Sequence, residues 1–234
     1  MGRDTLLSRV TQAIRVSGRG ASLRDKLAIA GSYLGTRQGR PTHARVRIEN
    51  RAFPVVLRSG ADRTVLHEML CLDEYRAAEC PAPPVILDVG ANVGFSSLYF
   101  AARFPEAVIH AVEAAPGTYA QLVENTAGVA NIRTHHLAIG GEDGEAEFWL
   151  APMHFGSSLR RREGAKPVRV PMRTLDSFLA DLGLDHVGLL KFDIEGAEVE
   201  MFRGLSTPAR IAQVIGEVHY DLVEVAPDWF RERL

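Results

Sequence analysis

The 234-residue sequence predicts an α/β fold: a mostly parallel sheet with helices on both faces, preceded by a small N-terminal helix and β-hairpin. Three observations predict it. From Val85 onward, short apolar runs alternate with amphipathic stretches, the pattern of repeated strand–turn–helix units. Those runs are apolar at consecutive positions rather than alternate ones, so helices must cover both faces of the sheet. Apolar residues make up 46% of the chain and charged residues 24%, a composition that builds a core and excludes wholesale disorder.

Residues 1–40 read as an amphipathic helix carried by Leu6, Leu7, Val10, Ala13 and Ile14, followed by the Gly-rich linker GSYLGTRQGRP. The stretch RVRIENRAFPVVLRSG alternates on both sides of Glu49–Asn50–Arg51 and predicts a β-hairpin. Asp62 is placed to cap a helix running through Val65, Leu66, Met69 and Leu70. CPAPP at 80–84 closes this region, because consecutive prolines cannot continue a helix. The expected division is an accessory region over 1–80 and a main domain over 81–234.

In the main domain, VILDVG (85–90) is the first strand, with a helix from about Gly94 to Phe104. AVIHAVEA (107–114) is the second, with a helix over 117–125, and IRTHHLAIG (132–140) is the third. EAEFWL and PVRVPMRT read as strands flanking a Gly/Ser/Arg loop, and TLDSFLADLG as a helix capped by Thr174. VGLLKFDIEG (187–196) and IAQVIGEVHY (211–220) supply the last two strands, with the helix AEVEMFRGL between them.

The net charge of −2 hides an asymmetry: residues up to Arg63 carry +9 and the remainder −11. A basic front end can meet nucleic acid or a membrane surface. Here Arg3, Arg9, Arg15, Arg19 and Arg24 are dispersed and carry no interleaved aromatics, so nucleic acid is not expected as a partner. No apolar run approaches the roughly 18 residues of a transmembrane segment, and no signal-peptide pattern opens the chain. Cys71 and Cys80 have neither metal spacing nor CxxC spacing and read as two reduced thiols of a cytoplasmic protein.

Ligands of such sheets bind at the carboxyl ends of the strands, where strand order reverses. The strand tips here deliver Asp88 and Gly90, Glu113, Ala138, Asp193, and Glu217 with His219, an acidic and polar rim. The loop Gly90-Ala91-Asn92-Val93-Gly94 lets the backbone approach a ligand closely. A dinucleotide fingerprint would need glycines at 92 and 95, which hold Asn and Phe, so a pyrophosphate cradle fits poorly. Glu113 ends the second strand, where an acid can accept from both hydroxyls of a ribose. Loop and acid together point to a nucleoside-containing cofactor.

VILDVGANVGFSSLYFA, HAVEAAPGTYAQLVEN, LAIGGEDGEAEFW, VRVPMRTLDSFL, LLKFDIEGAEVEMFRG and GEVHY, in this order, resemble the FkbM-like S-adenosylmethionine-dependent methyltransferases. The likeness runs from roughly Val55 to Tyr220. It implies a class I methyltransferase (Rossmann-like) fold and methyl transfer, usually to a hydroxyl of a sugar, glycolipid or secondary metabolite. It implies further that Asp88, Gly90, Ala91, Asn92 and Gly94 form the first cofactor motif. Glu113 then takes the ribose-binding position, Ala138 a position near adenine, and Asp193 one beside the transferred methyl. A phosphate-free cofactor with two cationic groups also suits the acidic rim.

Removing the acceptor's proton needs a base, and His219 is the candidate. Lys191, two residues before Asp193 on the same strand face, is expected to pair with it or to act as a structural counter-ion. Asp193 with Glu217 or His219 could hold a Mg²⁺, the less favoured alternative. Glu195 and Glu198 read as complements to a helix N-terminus. Arg160–Arg161–Arg162 read as a solvated run or a lid meeting an anionic acceptor. His135 and His136 point to opposite faces of their strand and read as structural.

The antiparallel hairpin that ends such sheets is absent from the 14 residues after Tyr220. Either the sequence is a C-terminal truncation, or the hairpin near 44–58 or a partner chain such as a second copy (a homo-oligomer) is expected to cover that edge. The leading reading is an O-methyltransferase acting on a small-molecule or glycan hydroxyl. The alternatives are an RNA or protein methyltransferase and a non-catalytic nucleoside-binding module.

Overall fold

The computed structural model describes residues 6–35, 39–72, 82–151, 157–161, 164–226 and 228–233. Arg3, Cys80 and Arg162 lie outside the described residues; Cys71 is a half-buried free thiol. Among the described residues, no helix is long and apolar enough to cross a membrane.

The sheet that organises the molecule has five parallel strands, built as expected from continuous apolar runs. They are β3 (Val85–Val89), β4 (Val108–Glu113), β5 (Ile132–His136), β9 (Leu189–Phe192) and β10 (Val214–Gly216), in the spatial order β10-β9-β3-β4-β5. Strand order reverses between β3 and β9, and the helices α4 (Phe95–Arg103), α5 (Pro116–Thr126), α6 (Leu175–Asp181) and α7 (Glu198–Arg203) fill the crossovers. One face buries Ile86, Ile109 and Leu189, and the other buries Leu87, Val89 and Leu190.

The predicted third strand divides. β5 stays with β4 only as far as His136, opposite Glu113, where β4 ends. Ala138–Ile139 (β6) then leaves to pair with β8 (Lys166–Arg173), which is also paired antiparallel with β7 (Gly144–Leu150). His135 contacts His110 at 3.0 Å and His136 stacks on Tyr119, so each ring has a partner within the fold.

The front end holds two helices rather than a helix and a linker. In α1 (Leu6–Ser17) Ala13 and Val16 are buried and Ile14 is exposed, so the apolar face is rotated from the predicted one. In α2 (Leu23–Tyr33) a capping box joins Ser22 and Asp25, a signal the Gly-rich reading passed over. β1 (Thr42–Ile48) and β2 (Arg51–Leu57) form the predicted hairpin. The cap of α3 (Gly60–His67) is Ser59, and Asp62 is its reciprocal partner one turn in.

The β1–β2 hairpin shares a core with the main sheet: Val46, Phe53 and Val55 join Ile86, Leu98 and Ile109 in one cluster. Two amides on α5 secure the junction. Asn125 accepts from Val56 N at 2.8 Å and donates to Val93 O at 2.8 Å, while Gln121 donates to Val56 O at 2.9 Å. The accessory hairpin therefore braces the glycine loop after β3.

That hairpin does not cover the edge beyond β10, contrary to expectation; its strands pair with each other, and β1 also bridges to Gly20 through Val46. β10 is three residues long and pairs with β9 alone among the described residues, and so short an edge offers little to template on. The chain then runs into α8 (Asp228–Arg233), which buries Phe230 against Phe202 and donates from Arg233 to Phe202 O and Leu205 O.

Candidate active site

A cleft, open at its mouth, lies over the carboxyl ends of β3, β4 and β9. It sits at the switch point, where ligands of such sheets bind. Gly90, Glu113, Ala138 and Asp193 line it, together with the apolar wall of Leu137, Ile139 and Phe148.

Gly90 is demanded twice over. Its φ is +74°, and a Cβ there would stand 1.9 Å from Asp193 O. Asn92 (φ +51°) continues the turn and donates its N–H to Glu113 at 3.0 Å. Gly94, at φ +91°, starts α4 against Leu122 and Thr126, where a Cβ would meet Leu122 at 2.8 Å. Of the expected loop residues only Gly90 reaches the cleft; Ala91 is buried against Ala111 and Leu122, and Asn92 and Gly94 shape the turn.

Asp88 lies beneath the loop, fully buried. Its Oδ2 accepts from Ser96 and Ser97 at 2.6 Å each, and its Oδ1 forms an ion pair with Lys191 at 3.1 Å without an aligned hydrogen bond. The Lys191 ammonium also donates to Gly90 O at 2.7 Å. Lys191 thus pairs with Asp88 rather than Asp193, because Asp88 is its register neighbour on β3 while the carboxylate two residues along lies beyond the strand.

Glu113 is buried at the tip of β4. One carboxylate oxygen accepts from Asn92 N at 3.0 Å and the other from Ala115 N at 2.8 Å. Burial pushes its carboxyl up to about 7, against the downward pull of those hydrogen bonds and of Lys191.

The rim beyond β9 gathers a second group. The turn Asp193-Ile194-Glu195-Gly196 carries Glu195 at φ +55°. His219 lies three residues past β10, in the irregular segment rather than in the strand. Its Nδ1 is 2.8 Å from Glu198 Oε1, and its Nε2 is 3.5 Å from Glu195 and 3.9 Å from Asp193. The Glu198 hydrogen bond, helped by the charges of Glu195, Glu198 and Asp193, raises the imidazole to about 9 against the effect of burial. At neutral pH His219 is an imidazolium.

Glu198 departs from expectation. It is fully buried and accepts from both Gly196 N and His219, so it serves more than the end of α7. The three groups Asp193, Glu195 and His219 lie within 4.8 Å of one another and could hold a metal ion. Glu217, expected among such ligands, is outside that set: its N–H pairs with Phe192 O and the residue is exposed.

The inserted loop gives its residues roles in holding the site turn. Ser158, fully buried, donates to Glu195 O at 2.7 Å, and Arg160 donates from Nε to Gly196 O at 2.7 Å and pairs with Glu200 at 3.2 Å. Arg161 lies over the Trp149 ring, 5.4 Å from its centroid. Arg160 is therefore an anchor for the site turn, not a solvated run.

A parallel sheet in this order, with a largely apolar cleft at the switch point that also holds Glu113 and Asp193, defines the Rossmann-like class of α/β folds. A family model, the methyltransferase FkbM domain, matches residues 88–233, and the chain belongs to that methyltransferase family. Methyltransferase 1 of Beauveria bassiana is 27% identical over 183 residues, covering 68% of this chain and 70% of that protein. The 2-O-methyltransferase NoeI of Sinorhizobium fredii is 28% identical over 138 residues, 52% of this chain and 57% of NoeI. The 31-O-demethyl-FK506 methyltransferase FkbM of Streptomyces tacrolimicus is 26% identical over 170 residues, 58% of this chain and 65% of that protein. The last two matches span less than two thirds of the relatives' length.

Proposed function

We propose that the protein is an S-adenosylmethionine-dependent O-methyltransferase whose acceptor is a hydroxyl on a sugar, glycolipid or secondary metabolite, with residues 81–234 as the transfer domain. Glu113 is the observation that carries this reading. Each of its oxygens accepts one backbone N–H and retains a further acceptor site, a match for the two hydroxyls of a ribose. The wall of Leu137, Ala138, Ile139 and Phe148 suits a purine, and Asp193 across the cleft suits a cation. The printed O-methyltransferase names of two relatives support a hydroxyl acceptor.

When bound, the cofactor supplies an electrophilic methyl group on a sulfonium. The chain's part is to align the acceptor oxygen, exclude water and handle one proton. Gly90 closes the floor of the cleft and the apolar wall dries it. His219 as imidazolium can hold the acceptor oxygen by a hydrogen bond; as free base it can take the hydroxyl proton. Lys191 and Asp88 hold the glycine loop from below, which makes Lys191 a positioning residue in this scheme.

The clustering of Asp193, Glu195 and His219 favours a second reading of the proton step, in which those three would hold a Mg²⁺ whose chemistry there would be to orient and acidify a bound hydroxyl.

The test is calorimetry with S-adenosylhomocysteine together with labelled-methyl transfer to sugars, glycolipids and polyketide-like alcohols, with and without a chelator. Binding and transfer to an alcohol are expected. Binding without transfer to any acceptor would favour a nucleoside-binding module, and transfer to RNA or protein would replace the acceptor class. No binding would remove the cofactor reading.

A further inference from the structure

The α1–α2 hairpin is the part of the molecule that the cleft leaves unused. Six large apolar side chains are exposed among the described residues, and four of them, Ile14, Leu23, Leu27 and Leu34, belong to this hairpin and its C-cap. Singly scattered apolar residues need no explanation, but these cluster.

At 100° per residue, Leu23, Leu27 and Leu34 fall within about 40° of one another on α2. The opposite face, Ala28, Ile29, Ser32 and Tyr33, is buried in the protein. The leucines therefore occupy the middle of the solvent-facing side, where a surface helix is ordinarily most polar. Leu23 is 72% and Leu27 65% exposed. Apolar surface on both sides of one helix calls for a cover on the second side.

The charge around the stripe selects the cover. Arg24 and Lys26 are exposed and flank the leucines on either side, about 80° from the stripe's centre. Between residues 6 and 35 the other charges are Arg9, Arg15, Arg19 and Asp25. Asp25 is occupied in capping Ser22 and in accepting from Arg45 N at 2.9 Å.

The spacing of Leu23, Leu27, Ala30 and Leu34 would also fit a seam with a second copy. There Arg24 and Lys26 would stand at the flanking positions of both helices and face like charges. An anionic cover meets no such repulsion. Leucines between basic residues, with the charged heads free to spread sideways on long stems, match a helix that lies in the plane of a lipid surface.

We propose that the outer face of α2, with Leu23, Leu27 and Leu34 inserted and Arg24 and Lys26 at headgroup level, docks the protein on an anionic membrane surface. This stands apart from the methyl-transfer reading, and none of these residues lines the cleft.

Sedimentation of the full chain with lipid vesicles tests it. Pelleting is expected with phosphatidylcholine vesicles that contain phosphatidylserine, not with phosphatidylcholine alone, and it should weaken as salt rises. Leu23→Ser with Leu27→Ser should lower vesicle affinity by about tenfold or more. Arg24→Glu with Lys26→Glu should do the same. All four side chains are exposed, so melting followed by circular dichroism should match wild type. Absence of pelleting with anionic vesicles at low salt would overturn the proposal, as would leucine variants that pellet like wild type. A concentration-dependent dimer in light scattering, abolished by Leu23→Ser, would assign the stripe to a second copy instead.

Discussion

Lys191 and Asp88 sit opposite one another in register on β9 and β3, with Nζ 3.1 Å from Oδ1 and both side chains almost wholly buried. A buried pair of this kind is costly to break from one side, since the remaining charge loses its partner. Lys191→Met should destabilise the fold by about 3–5 kcal/mol in denaturant unfolding. A double variant, Lys191→Met with Asp88→Asn, should recover part of that loss. A Lys191→Met protein as stable as wild type would show that the ammonium is not needed to hold Asp88.

Gly90 is the tightest point of the cleft floor. Gly90→Ala should cost about 2–4 kcal/mol, from the strained φ and the collision with Asp193 O together, and should abolish binding in the cleft. Gly117, on α5 with open space around its Cα, is the control: Gly117→Ala should leave stability unchanged or raise it by up to about 1 kcal/mol.

Glu113 links the cleft to pH. Its carboxyl sits at about 7 in the fold against an ordinary 4.5, so the folded protein prefers the neutral form. Stability should therefore fall as pH rises from about 4.5 through about 7, and Glu113→Gln should flatten that fall. Hydroxyl donors in the cleft favour the carboxylate, so S-adenosylhomocysteine binding near pH 7 should release about half a proton, measurable by calorimetry in two buffers. Glu113→Ala should weaken that binding at least about tenfold; unchanged affinity would remove Glu113 from the ribose role.

His219 sets the opposite limb. With its pKa near 9, about one molecule in a hundred holds the free base at pH 7. If the imidazole takes the hydroxyl proton, transfer should quicken with pH up to about 9. Glu198→Gln, which weakens the hydrogen bond that holds the imidazolium, should move this limb to lower pH. His219→Ala should slow transfer by about 10²–10⁴-fold and leave cofactor affinity intact. A flat pH profile in wild type would retire the base role.

The sheet was legible because β3, β4 and β9 are largely apolar runs buried on both faces, which leaves few other structures open to them. The rim followed from it, since Gly90, Glu113 and Asp193 meet at one cleft merely by lying at the ends of neighbouring strands, and Ala138 joins them at the start of β6. α2 was hidden because leucines on its outer face blur the 3.6-residue period, although Ser22 and Asp25 carry its start. The partnerships of Glu198 with His219 and of Arg160 with Gly196 join residues 21 and 36 positions apart. Such pairings depend on how two loops pack, which local patterns do not encode. Lys191 was misdirected for a related reason: its neighbour along the chain was easier to see than its neighbour across the sheet.

The loop between β7 and β8 grips the site turn by its backbone carbonyls, through Ser158 and Arg160, and not by its acidic side chains. The attachment is thus indifferent to what those acids do. Changes of charge at Asp193 or Glu195 leave both carbonyl acceptors in place, so the turn can keep its shape while its side chains vary.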